Sequence, residues 1–436
     1  MVVYDDTTQK NTPFKIAPRV GFAWDVTGDG KTSVRAGAGV FYDRYADDNI
    51  LDLIELPPLL LTATTAYTTL PELLSQQLAA TTTSVRRITN FIPPVVYNWS
   101  AGVQRDIGWR LVADFAYVGN SARDQLVNRP INGRGYGYAY QASSLDSTNV
   151  VGGITQPLPN DYLRPSRGWS AITQREFTGY GDFHSLQFSV NRRRSSDGLS
   201  VGAAYTYQIF NKNLTTIDPF YSGDIEQRYY NQNGNDQTSR RPHVLILNYS
   251  YDVPNLSRKF DNILTKAILD NWQFSGITTI TSGRYQALNY SYSNAPTGTL
   301  TGTGGIDTPG SRPDIVCDPN LPRGERTFER QFNVDCIKPP SDQFRLGNSS
   351  GDESLGPGYW NFDISAFKNI PISGAKRLQL RFELYNAFNN NQWTGTNTTV
   401  NFDYLTGAVT NATTVGRLNG NTNSARRIQL GARFLF

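Results

Sequence analysis

Few side chains in this 436-residue chain have the chemistry to hold a metal, attack a bond or shuttle a proton: there are two cysteines, two histidines and one methionine. Cys317 and Cys336 fall in one long polar connection, where an oxidising environment favours a disulfide. Closing a loop of about 20 residues would stabilise it by about 3 kcal/mol at most. Two free thiols are the competing reading, and a metal pair lacks a histidine nearby. His184 and His243 sit on separate strand-like segments, with no partner at metal or triad spacing. The run Val26-Thr-Gly-Asp-Gly-Lys31 has the outline of a calcium loop but not the alternating ligands and closing Glu of an EF-hand, and it reads as a turn. Asp47, Asp48 and Asp52 read as a solvated face, with cation attraction as the alternative. Arg192 to Arg194, beside a tight turn, reads as the basic end of a strand. Loop aromatics Tyr136, Tyr138, Tyr140, Phe220, Tyr221, Tyr229 and Tyr230 are candidate ligand contacts, against a bland reading of local packing. A glycosidase would need two converging carboxylates, whereas Asp and Glu are scattered among turns and polar faces. The chain reads as no enzyme and implies no cofactor. Its net charge of +4 is spread along the chain and makes no case for nucleic acid.

The elements that carry these residues alternate with period two, in segments of about ten residues, the length of a tilted membrane-crossing strand. Val20, Phe22 and Trp24 oppose Arg19, Gly21 and Asp25. Val95, Tyr97, Trp99, Ala101 and Val103 oppose Asn98, Ser100 and Gln104. Similar segments run through Thr32–Tyr42, Leu111–Tyr117, Leu186–Val190, Val201–Tyr207, Leu245–Tyr251, Trp272–Ile280 and Phe362–Ala366. Leu378, Leu380, Phe382 and Leu384 oppose Arg377, Gln379, Arg381 and Glu383, a strand that needs a different solvent on each side. The final strand sets Ile428, Leu430, Ala432, Phe434 and Phe436 against Arg427, Gln429 and Arg433. No run reaches the about 18 apolar residues of a membrane-spanning helix. The negative mean hydropathy does not exclude a membrane barrel, whose second face is polar.

The connections separate a barrel from a soluble sandwich. Tight turns follow Asp25, Asp106, Arg194 and Ile370, and long links span 43–94, 120–182, 211–241, 284–359 and 389–423. They take turns, apart from one middling link at 254–271. That predicts an all-β, antiparallel transmembrane β-barrel segment with short periplasmic turns and long extracellular loops. Tyr42, Tyr97, Trp99, Trp109, Tyr117, Trp272 and Trp360 lie near strand ends and read as an interfacial girdle, with carbohydrate stacking as the alternative. Short helices are expected around 51–61 and 71–78. A count of about eleven strands is odd where single-chain bacterial barrels are even. The expectation is a curved sheet with two open edges, residues 1–436 being one partial barrel domain. Met1-Val-Val-Tyr-Asp-Asp lacks the basic and apolar regions of a signal peptide, so the export signal and remaining strands are expected upstream.

The chain also resembles a family. Phe14-Lys-Ile-Ala-Pro-Arg-Val-Gly-Phe-Ala-Trp-Asp25, Tyr117-Val-Gly-Asn, Asn271-Trp-Gln-Phe-Ser-Gly, Leu321-Pro-Arg-Gly-Glu-Arg, Gly356-Pro-Gly-Tyr-Trp-Asn-Phe-Asp and Phe382-Glu-Leu-Tyr-Asn-Ala-Phe-Asn resemble the barrel of TonB-dependent receptors of the Oar-like type, which carry a carboxypeptidase-regulatory-like domain. The resemblance implies half of a 22-stranded barrel whose plug and TonB box have no counterpart here. The terminal run Ile428, Leu430, Ala432, Phe434 and Phe436 resembles the signal read by the barrel-assembly machinery; an ordinary amphipathic strand ending in Phe is the competing reading. The implied partners are outer-membrane lipid, the assembly machinery, the TonB complex through the upstream part, and an unknown extracellular ligand. The implied function is uptake of a large ligand, an oligosaccharide or peptide, at the outer membrane of a Gram-negative bacterium. A structural or adhesive outer-membrane protein and a secreted soluble carbohydrate-active protein are the alternatives.

Overall fold

The computed structural model describes residues 14–43, 85–88, 92–167, 169–214, 240–259, 263–294, 304–306, 311–341, 347–350, 352–374, 376–421 and 425–436. The two segments expected to be helical in the first long link, and Phe220, Tyr221, Tyr229 and Tyr230, lie outside the described residues.

Eleven strands pair in chain order as one antiparallel meander: β1 (Arg19–Asp25), β2 (Thr32–Tyr42), β3 (Val95–Gly108), β4 (Leu111–Pro130), β5 (Ile172–Arg192), β6 (Leu199–Leu214), β7 (His243–Asp252), β8 (Trp272–Thr281), β9 (Tyr359–Ser373), β10 (Lys376–Tyr385) and β11 (Arg427–Leu435). A short twelfth strand, Val85–Ile88, runs parallel to the start of β5. Among the described residues β1 and β11 are not paired with each other, so the sheet is open. An odd number of antiparallel strands leaves both edges running in the same direction.

Because side chains alternate across a strand, register decides whether the apolar sets merge, and they do. The row Phe22–Ala36–Ala101–Tyr117–Leu186–Tyr207 is continuous from β1 to β6. Leu247–Thr278–Phe362 and Phe274–Ala366–Phe382–Leu430 continue the same face to β11. This face is not a packed core: Phe22, Phe115, Phe188, Leu380, Phe382 and Leu430 all stay exposed. The opposite face carries rows such as Gln104–Asp114–Ser189 and Ser250–Ser275–Ser365–Glu383–Gln429. Its side chains bond one another: Gln273 donates to Ser250 at 3.1 Å, Gln379 to Asn369 at 3.0 Å and Arg381 to Gln379 at 2.8 Å.

The apolar face is bounded above and below. On β5, Asp182 and Arg192 share its parity, and the span between them, residues 183–191, matches the about 9–11 residues a tilted strand needs to cross a bilayer. At the upper boundary Ser121 donates to Asp182 at 2.7 Å and Arg123 pairs with it at 2.9 Å. At the lower boundary Arg192 pairs with Asp197 of the turn.

Beyond the upper boundary β4 and β5 do not stop. They run to 20 and 21 residues, past a register shift between Ala122 and Gln125 where Asp124 takes φ 57°. Period-two reading ended these strands near Asn120 and Asp182, because above that row the outer face turns polar and the apolar alternation ends. Ladder bonding alone carries the hairpin on, with Arg129 bonded to Glu176 across it at 2.9 Å.

The lower turns are tight for local reasons. Asp25 accepts from the amides of Gly28 and Gly30 at 3.0 and 2.8 Å, and Asp29 accepts from Lys31 at 3.0 Å. Gly28 and Gly30 both take positive φ, so the glycines are there for turn geometry. Trp109 and Arg110, at φ 50° and 63°, close a two-residue hairpin of the kind whose twist suits flanking strands.

Candidate functional site

The buried core of this molecule lies in the long loops. The described parts of the three long loops, within 131–171, 282–358 and 386–426, interlock above the upper boundary as a cap. Asn289–Ser293 pairs in parallel with Thr399–Asp403, joining the β8–β9 and β10–β11 loops. Around that pair Leu288, Tyr290, Phe332, Ile337, Val400, Phe402 and Val415 form the main hydrophobic cluster, with Phe332, Ile337 and Val400 fully buried. Burying a side chain of this size contributes about 1.5–3 kcal/mol. Alternation from Leu288 to Tyr292 and from Val400 to Phe402 signals these strands, yet each is too short to stand out from a polar loop.

Cys317 and Cys336 are joined by a disulfide across 4.9 Å of Cα separation, beside the short antiparallel pair Asp314–Ile315 with Ile337–Lys338. Their loop is therefore stapled at the edge of the main cluster, where Cys336 and Ile337 are both buried. The third loop joins through the Arg134–Ile306 bridge and through Tyr404, whose ring lies 5.3 Å from Tyr140 and 5.4 Å from Tyr292. Tyr136 and Tyr140 are buried, and Tyr138 is half-buried beneath the Arg134 guanidinium, 4.6 Å from its ring centre. These three rings are packing the cap.

The cap's carboxylates are held by its own donors. Asp403 accepts from Asn294 at 2.7 Å and from the amides of Leu405 and Thr406 at 3.0 and 2.8 Å. The side-chain bond from Asn294, then the Thr406 bonds, hold its carboxyl below the usual carboxylate range. Asn320 does the same for Asp318 through its amide and side chain. Burial, with Tyr404 alongside, pushes the Tyr292 phenol up.

Below the cap, on the polar face, a cavity of about 280 Å³ is lined by Thr279, Tyr359, Asn361, Asp363, Tyr385, Asn386, Gln392 and Arg427. Asp363 is set by bonds from Asn361 at 3.0 Å and the Asn386 amide at 2.9 Å. Two phenol rings, amides, one carboxylate and one guanidinium suit a neutral or zwitterionic polar solute. Reading the sequence alone missed this constellation because its members are scattered over five segments and meet only through the β8–β9–β10–β11 register. Among the described residues no group of three or more His, Cys, Asp or Glu side chains converges as a metal site.

The histidines do have partners, though not catalytic ones. Tyr117 hydrogen-bonds His184 Nδ1, and Tyr205 hydrogen-bonds His243 Nδ1 at 2.7 Å. Trp99, Gly119 and His184 share one register row. The indole lies over Gly119, where a Cβ would sit 2.5 Å from it, and edges onto His184 at 5.5 Å. With Tyr97, which stands in the upper polar row itself, and with Tyr207 and Trp360, these rings form a belt along the upper boundary. Trp24, Trp109, Tyr251 and Trp272 lie near the lower turns, and both sets are placed as an interfacial girdle would be. Ile428, Leu430, Ala432 and Phe434 point out along β11, with the Phe434 and Phe436 rings stacked at 6.1 Å.

A two-faced antiparallel sheet bounded by aromatic rows, with turns at one end and folded loops at the other, defines the wall of a transmembrane β-barrel. Residues 2–429 match the family described as "Outer membrane beta barrel domain", and the chain belongs to that family; its place is the bacterial outer membrane. Similar solved structures include the outer membrane transporter YddB from Escherichia coli, at 12% identity and a TM-score of 0.43, covering 96% of this chain and 40% of that one. Others are the FrpB iron transporter from Neisseria meningitidis, at 11% identity, TM-score 0.43, 96% and 39% coverage, and the siderophore receptor PiuA from Acinetobacter baumannii, at 10% identity, TM-score 0.42, 95% and 35% coverage. The chain thus spans about two-fifths of the length of these proteins. No curated protein matches it.

Proposed function

We propose that this chain is the barrel wall and ligand-gathering cap of a TonB-dependent outer-membrane receptor of the Oar-like type, taking up a large extracellular ligand, an oligosaccharide or peptide. The observation that carries the reading is the cap. Two long loops share one buried core, a third joins them through a second cluster at Ala139, Leu163 and Ile306, and a disulfide staples the largest loop. All lie directly above a polar inner wall, which is how a mouth that captures a solute and passes it inward would be built. The polar cavity at Tyr359, Asp363, Tyr385 and Arg427 supplies a first contact on that path. The sequence resemblance supports the TonB-dependent class. Ile428 to Phe436 serve in this reading as the signal for the barrel-assembly machinery.

The open sheet fits a larger barrel. Both edges run the same way, so two copies meeting β1 to β11 would pair in parallel, and antiparallel closure calls for an odd number of further strands. A plug and TonB box would come with those strands. Membership of an outer-membrane barrel family sets aside the secreted soluble alternative.

The test is uptake by cells that display this chain within its complete reading frame, using labelled oligosaccharides and peptides with TonB present or deleted. The proposal expects periplasmic accumulation that is lost without TonB. Surface binding indifferent to TonB, with no accumulation, would establish the adhesive alternative in its place.

A further inference from the structure

One turn at the periplasmic end is unlike the others. Between β7 and β8 the chain makes a 3-10 turn, Leu256–Lys259, and a helix, α1 (Ile263–Leu269), and this segment folds back onto the lipid-facing side of the wall. Three buried polar residues clamp it there. Asp270 accepts from both the amide and the hydroxyl of Ser257, which hold its carboxyl below the usual range. Lys368 has the parity of the apolar face, opposite Trp272 and Leu380, yet is only 6% exposed. Its ammonium donates to the Ile268 carbonyl at 3.2 Å and to the Asp270 carbonyl, at the C-terminal end of α1, where a cation is favoured. The Trp272 ring lies 5.3 Å from it, and the indole N–H donates to Ile268 at 2.7 Å.

This clamp leaves an apolar groove of about 420 Å³ between turn and wall. Trp272 and Phe274 at the start of β8, with Ala366 and Phe382 beside them on β9 and β10, form its floor on the lipid-facing side. Leu256 and Leu269 of the turn form its rim, and Leu256, like Ile268 beyond it, stays more than half exposed. Water has little reason to fill a groove with so few polar groups. The groove opens onto the same continuous surface that faces lipid in the outer membrane, at the depth of the periplasmic leaflet.

We propose that this groove is a binding site for one acyl chain of a periplasmic-leaflet phospholipid, with Leu256–Lys259 and α1 acting as an interfacial foot that fixes the depth of the wall. The occupant follows from continuity with the membrane surface: an acyl chain is the apolar group that reaches this depth without dehydrating a polar backbone. Closure of the rest of the barrel leaves the groove unchanged, because β8, β9 and β10 all lie inside the sheet.

The test uses the full-length protein in outer membranes, with a benzophenone amino acid in place of Leu269 and, for reference, in place of Phe188 on the open apolar wall. After irradiation, peptide mass spectrometry reads the adducts. The proposal expects a phospholipid adduct several-fold stronger at Leu269 than at Phe188, lost when Ala366→Phe fills the floor. Val253 also lines the groove, so Val253→Phe fills the same space from the turn side and serves if Ala366→Phe impairs assembly. Equal yields at the two positions, yields untouched by filling, or a protein adduct at Leu269 would each overturn it.

Discussion

Asp403 and the Cys317–Cys336 bridge show what single residues contribute to the cap. Hydrogen bonds from Asn294, Leu405 and Thr406 favour ionised Asp403 and lower its folded pKa relative to the unfolded chain. Its contribution is therefore complete above the ordinary Asp value of about 3.9 and is lost as pH falls through the lower folded value. Amide exchange should show protection at Leu405 and Thr406 falling on acidification through that window, with β10 unaffected; protection that ignores pH would contradict the assignment. Cys317→Ser with Cys336→Ser should cost the loop about 3 kcal/mol. Limited proteolysis should then cut within 311–341 faster while the wall resists. Pairing of the two cysteines was readable from their number and shared loop. The role of Tyr140 was not, since an aromatic in a polar loop looks the same in sequence whether it waits for a ligand or, as here, packs against another loop.

Among the elements, β10 states the two-solvent argument most clearly. Leu380 and Phe382 are each more than 40% exposed, while Gln379, Arg381 and Glu383 on the other side are half-buried among polar neighbours. Phe188→Arg, near the middle of the 183–191 span on the same apolar face, should destabilise the inserted protein by about 2–4 kcal/mol, as for a charge near the bilayer midplane. Arg381→Gln on the polar face should cost well under half of that. Urea unfolding in lipid vesicles measures both, and equal penalties would contradict the facing. All eleven strands were legible as alternation because lipid and water impose opposite demands on adjacent residues. The loop strands escaped notice, since Asn289–Ser293 and Thr399–Asp403 find each other across more than a hundred residues, and no local pattern reports such a partner. The upper halves of β4 and β5 escaped for a different reason: out of the bilayer they carry no alternating pattern.

For the whole molecule, the same physics leaves a wall with greasy side chains outward and no core, and a cap with a core and no membrane contact. Loss of cap packing and loss of the wall should then be separable. Phe332→Ala, at a fully buried position, should cost about 3–5 kcal/mol and loosen the cap. The mutant protein should still reach the outer membrane in wild-type amount, read by quantitative fractionation; loss of insertion would mean that the cap is needed to form the wall. The most direct test of the account's central claim is collision spectroscopy of spin labels placed one at a time from Arg377 to Leu384 in the membrane-inserted protein. The account predicts that Leu378, Leu380, Phe382 and Leu384 collide with lipid-dissolved oxygen while Arg377, Gln379, Arg381 and Glu383 collide with a water-soluble nickel chelate, the two profiles alternating out of phase. Flat profiles, or the Leu378 set shielded from both reagents, would contradict it.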